Sequence, residues 1–310
     1  MPLTMGYRAR GRPLGLDGRS AEGPGHTHTY TGGFLLKRIS ALTAGMVVAA
    51  VAVASGATAT AAGTLPTLTL TMTGKSITAT PSVPAGAINL VSNVSGEPVA
   101  SPTLVRLEPG VTFAQAFAAV GAGHGDPNAL DGLATIVANP EARKGTSTVQ
   151  TVLTPGNYVA LDTEGDNPAK WPKVNFTVTP NSSPASLAKP QATVAAQEFR
   201  FTGPGKLHDG ELVRFENQGY LYHMIIALPV KSKKAAKALT VYLESGNDRK
   251  AQKLVTAPPA QWMGTVGHGA MHQQVLTSKP GTYVLACFMG TQDGREHTRL
   301  GMVRTIQVVK

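Results

Sequence analysis

The chain has 310 residues, of which 42% are hydrophobic and 15% charged, with one cysteine and a formal net charge of +10. The length predicts about two domains, and the single cysteine excludes an intramolecular disulfide. The basic excess is modest and lacks interleaved aromatic residues, which disfavours nucleic-acid binding. With 34 glycines and 22 prolines, the composition indicates a turn-rich, β-rich, secreted protein.

Residues 1–63 are predicted to be a disordered N-terminal segment followed by a signal peptide. Lys37 and Arg38 precede an apolar run, Leu42 to Ala54, that is too short for a comfortable membrane span. The small residues that follow it suit a signal peptidase. The alternatives are an uncleaved anchor and a start codon near Leu35. We expect an extracytoplasmic protein, whether secreted, periplasmic or at the cell surface, with no stable membrane span after cleavage.

Residues 64–180 and 190–310 are predicted to be two copies of one domain. PGNYVAL (155–161) matches PGTYVLA (280–286), and PAGAINLVSNVSG (84–96) matches HDGELVRFENQG (208–219). The Pro/Ser-rich segment 180–191 between the copies is predicted to be a linker.

Each copy is predicted to be a β-sandwich of short strands with one inserted helix. Alternating apolar and polar residues, with many β-formers, indicate strands such as TLVRL (103–107), ELVRF (211–215) and HMIIAL (223–228). Helical patterns occupy 112–120 and 234–246, and the second carries a basic face. The sequence therefore predicts an all-β protein made of two tandem sandwiches.

The stretch CFMGTQDGREHTRLGM (287–302) contains a candidate metal site. A type 1 copper centre uses two imidazoles and one thiolate in a trigonal arrangement, with a weak axial thioether. Cys287 ends a strand, and His297 and Met302 follow on the next loop. The second imidazole must come from a neighbouring strand, and His223 begins one.

The pattern Val213, Phe215, Asn217, Gly219 and His223, then PGTYVLAC, then H-x4-M, resembles the cupredoxins, the blue copper proteins like plastocyanin and azurin. The resemblance implies two tandem cupredoxin-like Greek-key sandwiches and an electron-transfer function. It also implies type 1 copper held by His223, Cys287 and His297, with Met302 as the axial ligand.

HTRLGM is also similar to the final ligand segment of multicopper oxidases and copper nitrite reductases. The residues flanking Cys287 are not histidines, which disfavours an oxidase trinuclear cluster. The first copy has Asp162 at the cysteine position and about Thr103 at the His223 position, so it is predicted to bind no metal and to serve for packing or docking.

Three alternatives stay open from the sequence. The chain could be a metal-free interaction module at the cell surface or outside the cell, or a copper carrier. A copper enzyme like nitrite reductase would need a second copper site, for which only GHGAMH (267–272), with His268 and His272, offers ligands. We expect no enzyme activity, and a redox partner that is acidic where it meets the basic segment 231–253.

Overall fold

The computed structural model describes residues 64–165 and 167–310. The predicted N-terminal segment and signal peptide lie outside these residues. No helix in the described ranges is long and apolar enough to span a membrane.

The first half of the described chain forms nine strands and one α-helix. The helix α1 spans Phe113–Ala122, and short 3-10 helices span Pro127–Leu130 and Pro168–Lys170. The strands are β1 (Thr67–Met72), β2 (Ile77–Ala79), β3 (Ser82–Pro84), β4 (Gly86–Ala100), β5 (Pro102–Leu107), β6 (Ala134–Ala138), β7 (Ala142–Leu153), β8 (Gly156–Asp162) and β9 (Lys173–Thr179).

The second half repeats this order of elements. Two helices, α2 (Lys233–Glu244) and α3 (Asp248–Gln252), follow its fifth strand, and a 3-10 helix spans His297–Leu300. The strands are β10 (Ala192–Gln197), β11 (Arg200–Thr202), β12 (Lys206–His208), β13 (Leu212–Asn217), β14 (His223–Val230), β15 (Ala260–Val266), β16 (Met271–Val275), β17 (Gly281–Ala286) and β18 (Val303–Val309).

The strand pairing confirms the internal repeat. One five-stranded sheet has the order β3-β9-β8-β5-β6, and the other has the equivalent order β12-β18-β17-β14-β15. The remaining strands of both halves join into one eight-stranded sheet, β11-β10-β13-β16-β7-β4-β1-β2, in which β16 pairs antiparallel with β7. The chain is thus an all-β pair of tandem sandwiches that share a continuous sheet. The exact domain boundaries, 64–180 and 190–310, stay a prediction.

Each half of the described chain has its own apolar core between facing sheets. Leu68, Leu90 and Val149 of the eight-stranded sheet pack with Tyr158 and Phe176 of the first five-stranded sheet. In the second half the corresponding core also contains Cys287 and Met302. The alternation predicted from the sequence thus places one side chain in two into each core.

Helix α2 covers the outer face of the second five-stranded sheet. It begins at the N-cap Ser232, whose hydroxyl accepts from the Ala235 amide. The buried face consists of Ala236, Leu239 and Leu243. The helix predicted at 234–246 is confirmed, with observed bounds of Lys233–Glu244.

Candidate metal centre

Three separate elements bring His223, Cys287 and His297 together. His223 is the first residue of β14, Cys287 directly follows β17, and His297 begins a 3-10 helix. Because β14 and β17 are hydrogen-bonded neighbours, their ends hold the first two side chains side by side. The three residues form a possible metal-binding group, and each has no solvent exposure.

The donor atoms of this group form a nearly equilateral triangle. The His223 Nδ1 lies 3.2 Å from the His297 Nδ1 and 3.8 Å from the Cys287 Sγ. The remaining side, from Cys287 Sγ to His297 Nδ1, is 3.4 Å. A point equidistant from these three atoms lies about 2.0 Å from each, close to a metal–imidazole bond of about 2.0–2.1 Å and slightly below a metal–thiolate bond of about 2.3 Å.

Burial keeps both imidazoles neutral. Loss of hydration first, and then the neighbouring His297, lower the pKa of His223 to about 4, against the opposing charge of Glu198. Burial also lowers the pKa of His297 to about 4, against the opposing charges of Asp126 and Glu198. The Nε2 atoms of both rings are buried without a hydrogen-bond partner. At neutral pH the two rings are therefore uncharged, the form in which imidazole binds a metal.

The thiol of Cys287 is buried but supported by two backbone amides. Burial raises the pKa of Cys287 to about 12, while the amides of Met224 and Met289 lower it by hydrogen bonding to the sulfur. The Met224 nitrogen lies 3.4 Å from Sγ. Amides directed at the sulfur stabilise a thiolate, so they favour the form that a metal requires.

Met302 lies in the same apolar core as Cys287 and has no solvent exposure. Its amide donates to the His297 carbonyl (2.9 Å), and its carbonyl accepts from the Cys287 amide (3.3 Å). Gly301, with a left-handed φ of 90°, lets the chain turn from the 3-10 helix into this position. The backbone thus ties Met302 to both loop residues.

The Asn-x-Gly part of the sequence motif shapes the loop before His223. The buried Asn217 side chain donates to the carbonyls of Leu221 (2.8 Å) and Val266 (2.9 Å) and accepts from the Gly219 amide (2.9 Å). A Cβ on Gly219 would lie 2.8 Å from the His223 Nε2, so only glycine lets the loop pass over the ring.

Several contacts around the site were not predicted from the sequence. The Phe199 ring packs edge-on against the His297 ring at 5.2 Å. The Tyr222 amide, next to His223, donates to the Asn128 Oδ1 of the first sandwich (3.1 Å). The first sandwich therefore helps to cover the site. Neither contact could be read from the sequence, since the partners are far apart in the chain.

The GHGAMH segment does not form a second group with the site. His272 is buried in the core, where its Nε2 lies 2.9 Å from the Trp262 carbonyl oxygen. The Nδ1 of His268 lies 2.9 Å from the Gly219 carbonyl oxygen, and its ring stacks on Tyr220. In the described ranges, the group at Cys287 is the one cluster of three metal-binding side chains.

The first sandwich has no histidine or cysteine at the equivalent position. Asp162 occupies the cysteine position, where its Oδ1 accepts from the Ser101 amide at 3.0 Å. Thr103 pairs with Leu161, the residue before Asp162, and Ile226 pairs with Ala286, the residue before Cys287. The residue equivalent to His223 is therefore Ala100, three positions before Thr103, which corrects the approximate register of the sequence comparison.

Comparison with known proteins gives structural similarities only. No protein-family model matches the chain, and no curated protein matches it. Among solved structures, the chain is similar to auracyanin B, with 20% identity over 40% of this chain and 93% of that one and a TM-score of 0.25. It is also similar to reduced auracyanin from Roseiflexus castenholzii, with 17% identity over 38% and 95% and a TM-score of 0.24.

A longer match is to the copper-containing nitrite reductase of Thermus scotoductus, with 12% identity over 79% of this chain and 67% of that one and a TM-score of 0.23. With TM-scores this low, these similarities do not assign a metal to this chain.

Proposed function

We propose that the protein is an exported electron-transfer protein with one type 1 copper in its C-terminal sandwich. The observation that supports this most strongly is the buried triangle of two imidazole nitrogens and one cysteine sulfur, with sides of 3.2, 3.4 and 3.8 Å. Two imidazoles and a thiolate in a trigonal arrangement are the donor set of a blue copper site.

Copper held there would supply one-electron chemistry. The protein's part is to keep His223, Cys287 and His297 in place in both oxidation states. His223 begins β14 and Cys287 directly follows β17, a neighbouring strand of the same sheet, while His297 is fixed by its amide, which donates to the Met289 carbonyl (2.8 Å). A donor set fixed by the sheet needs little rearrangement when the charge of the ion changes. The buried shell also excludes water from the site.

We propose Met302 as the weak axial ligand. Its complete burial and its backbone bonds to Cys287 and His297 support this role. A thioether is a weak donor that adjusts the redox potential of such a site rather than its affinity for copper.

We further propose an extracytoplasmic location and an acidic redox partner. The location rests on the predicted signal peptide. The partner proposal rests on helix α2, which carries exposed Lys233, Lys234 and Lys237 and contacts the 3-10 helix of His297. An acidic surface docking there would be brought close to a copper ligand.

A visible spectrum of the purified protein with added Cu(II) tests the copper proposal. We expect one copper per chain and an intense blue thiolate charge-transfer band. Cys287→Ser should lose the band, and the matched variant His208→Ala, at an exposed histidine, should keep it. A protein that retains no stoichiometric copper would instead be a metal-free interaction module. Copper without the blue band would point to a carrier.

A further inference from the structure

A cavity of about 220 Å³ lies on the outer face of the first five-stranded sheet. Val105 and Leu161 form its floor, and Ala116, Phe117 and Val120 of α1 form one wall. Its remaining surface includes Trp171 of the first sandwich and Met289 of the second. The cavity therefore lies between the two halves of the molecule and beside the loop that carries the candidate metal ligands.

The size and lining of the cavity define a class of ligand. An apolar cavity of roughly 150 Å³ is large enough to bind benzene, so this one can take a substituted ring or two fused rings. The lining is mostly apolar and includes the rings of Phe113, Phe117 and Trp171. Such surfaces favour flat aromatic molecules, which can stack on or meet these rings edge-on.

One polar group in the lining is free to fix the orientation of a ligand. The Thr103 and Thr163 hydroxyls lie 2.9 Å from each other and 3.1 and 3.2 Å from the Ser101 carbonyl oxygen, so the hydrogen of each hydroxyl already has an acceptor within the protein. The Asn139 Oδ1 accepts from Gln261 Nε2 at 3.4 Å. Its Nδ2 has no hydrogen-bond partner among residues 64–165 and 167–310, so it can donate to a ligand.

Met289 connects the cavity to the candidate metal centre. Its amide donates to the Cys287 sulfur, and its carbonyl accepts from the His297 amide at 2.8 Å. Its own sulfur accepts from the Thr265 hydroxyl, another lining residue, at 3.4 Å. A ligand that displaces the Met289 side chain would therefore act on two hydrogen bonds around the thiol and the imidazole.

We propose that this cavity binds a compact aromatic molecule of one or two rings that carries one hydrogen-bond acceptor. The rings occupy the space between α1 and the sheet, and the acceptor faces Asn139. Binding of the ligand moves Met289 and thereby changes the hydrogen bonding of the Cys287 sulfur. The binding part of this proposal is independent of copper, and the transmission part rests on the proposed function.

Calorimetric titration of the metal-free protein with acetophenone tests the binding part. We expect saturable 1:1 binding that Ala116→Leu weakens at least tenfold, because the added carbons fill the cavity. Ala118→Leu, on the exposed face of the same helix, should bind like the wild type. If Ala116→Leu fails to fold, Val120→Phe fills the same space. No saturation at millimolar acetophenone, or unchanged binding in the filled variants, would overturn the site.

The visible band of the copper-loaded protein tests the transmission. Acetophenone should shift the band of the wild type and of Ala118→Leu, and it should not shift that of Ala116→Leu. Binding without any shift would overturn the transmission and leave the site standing. If the protein takes up no copper, the proposed function fails, while the titration of the metal-free protein still decides whether the cavity binds its ligand.

Discussion

At the scale of single residues, the candidate site depends on groups that hold the donors in place. The Cys287 sulfur accepts hydrogen bonds from two backbone amides, and the ring of Phe199 packs against the ring of His297. Phe199 adopts a left-handed backbone conformation, with φ of 56°, which is unfavourable for a bulky residue. The turn between β10 and β11 is therefore strained at Phe199, the residue whose ring covers His297.

We predict that Gly219→Ala weakens copper binding by about tenfold, which corresponds to about 1.4 kcal/mol. The new Cβ would lie 2.8 Å from the His223 Nε2 and 2.5 Å from the Glu198 Oε1, so the ring must move. Competition with a copper chelator measures the change.

The matched variant for this test is Gly205→Ala, since a Cβ there meets nothing within 4 Å. It should bind copper like the wild type. Equal affinities of Gly219→Ala and the wild type would show that the loop does not constrain His223.

The candidate donors could be found from the sequence because each follows a local pattern. The strand before Cys287 and the Asn-x-Gly loop before His223 are both recognisable sequence motifs. The structure brings Cys287 and His223 together with His297. Phe199 and Asn128 could not be found this way. They reach the site from other strands and from the other sandwich, and no local pattern marks such contacts.

At the scale of elements, equivalent strand ends carry different chemistry in the two sandwiches. Where β17 leads to a cysteine, β8 ends in the buried Asp162. Glu97 lies beside Asp162, and its Oε1 has no hydrogen-bond partner. Burial first, and then the Asp162 charge, raise the pKa of Glu97 from 4.5 to about 7. When Glu97 is protonated, it can donate to Asp162.

This raised pKa predicts a pH dependence of stability. The folded pKa lies above the unfolded value, so the stabilising contribution is present below pH 4.5 and is lost as the pH rises through about 7. Glu97→Gln removes this titration. Its thermal midpoint should therefore fall less than that of the wild type between pH 4.5 and pH 7.

Glu244→Gln, at an exposed carboxylate of α2, is the matched control and should follow the wild type. The thermal midpoints of all three proteins are measured across this pH range. Parallel curves for the wild type and Glu97→Gln would contradict a proton shared between Glu97 and Asp162.

The elements themselves were predictable, whereas their joining was not. Alternating residues and β-formers predicted strands in both copies, and these strands are present. The pairing of β16 with β7 joins the copies into one sheet. It depends on which strand edges meet in space, and period-2 alternation describes only the two faces of a strand, not its neighbours.

At the scale of the whole molecule, a line of polar side chains crosses the junction of the two sandwiches. The buried Gln273 donates to Gln150 (3.0 Å) and to the Ala188 carbonyl (3.2 Å), and it accepts from Arg214 (3.1 Å). The Gly267 amide donates to the Ile136 carbonyl of β6, and the Gly264 amide donates to the carbonyl of Asn139, the residue after β6. These contacts couple the two halves.

We predict that the protein unfolds in one calorimetric transition and that Gln273→Leu lowers its midpoint. The substitution keeps the side-chain volume similar but leaves the half-buried Gln150 and Arg214, one in each sandwich, without this partner. A polar group that loses its partner away from water costs up to about 1–3 kcal/mol. Gln292→Leu, at an exposed position, should leave the midpoint unchanged. Two separate transitions, with neither moved by Gln273→Leu, would mean that the sandwiches are independent.

The proposed function depends on copper being bound by His223, Cys287 and His297. X-ray absorption at the copper edge of the loaded protein tests this most directly, because it counts the atoms bound to the metal. We predict one short sulfur and two nitrogen ligands, with the sulfur lost in Cys287→Ser. A copper ion surrounded only by nitrogen and oxygen in the wild-type protein would contradict it.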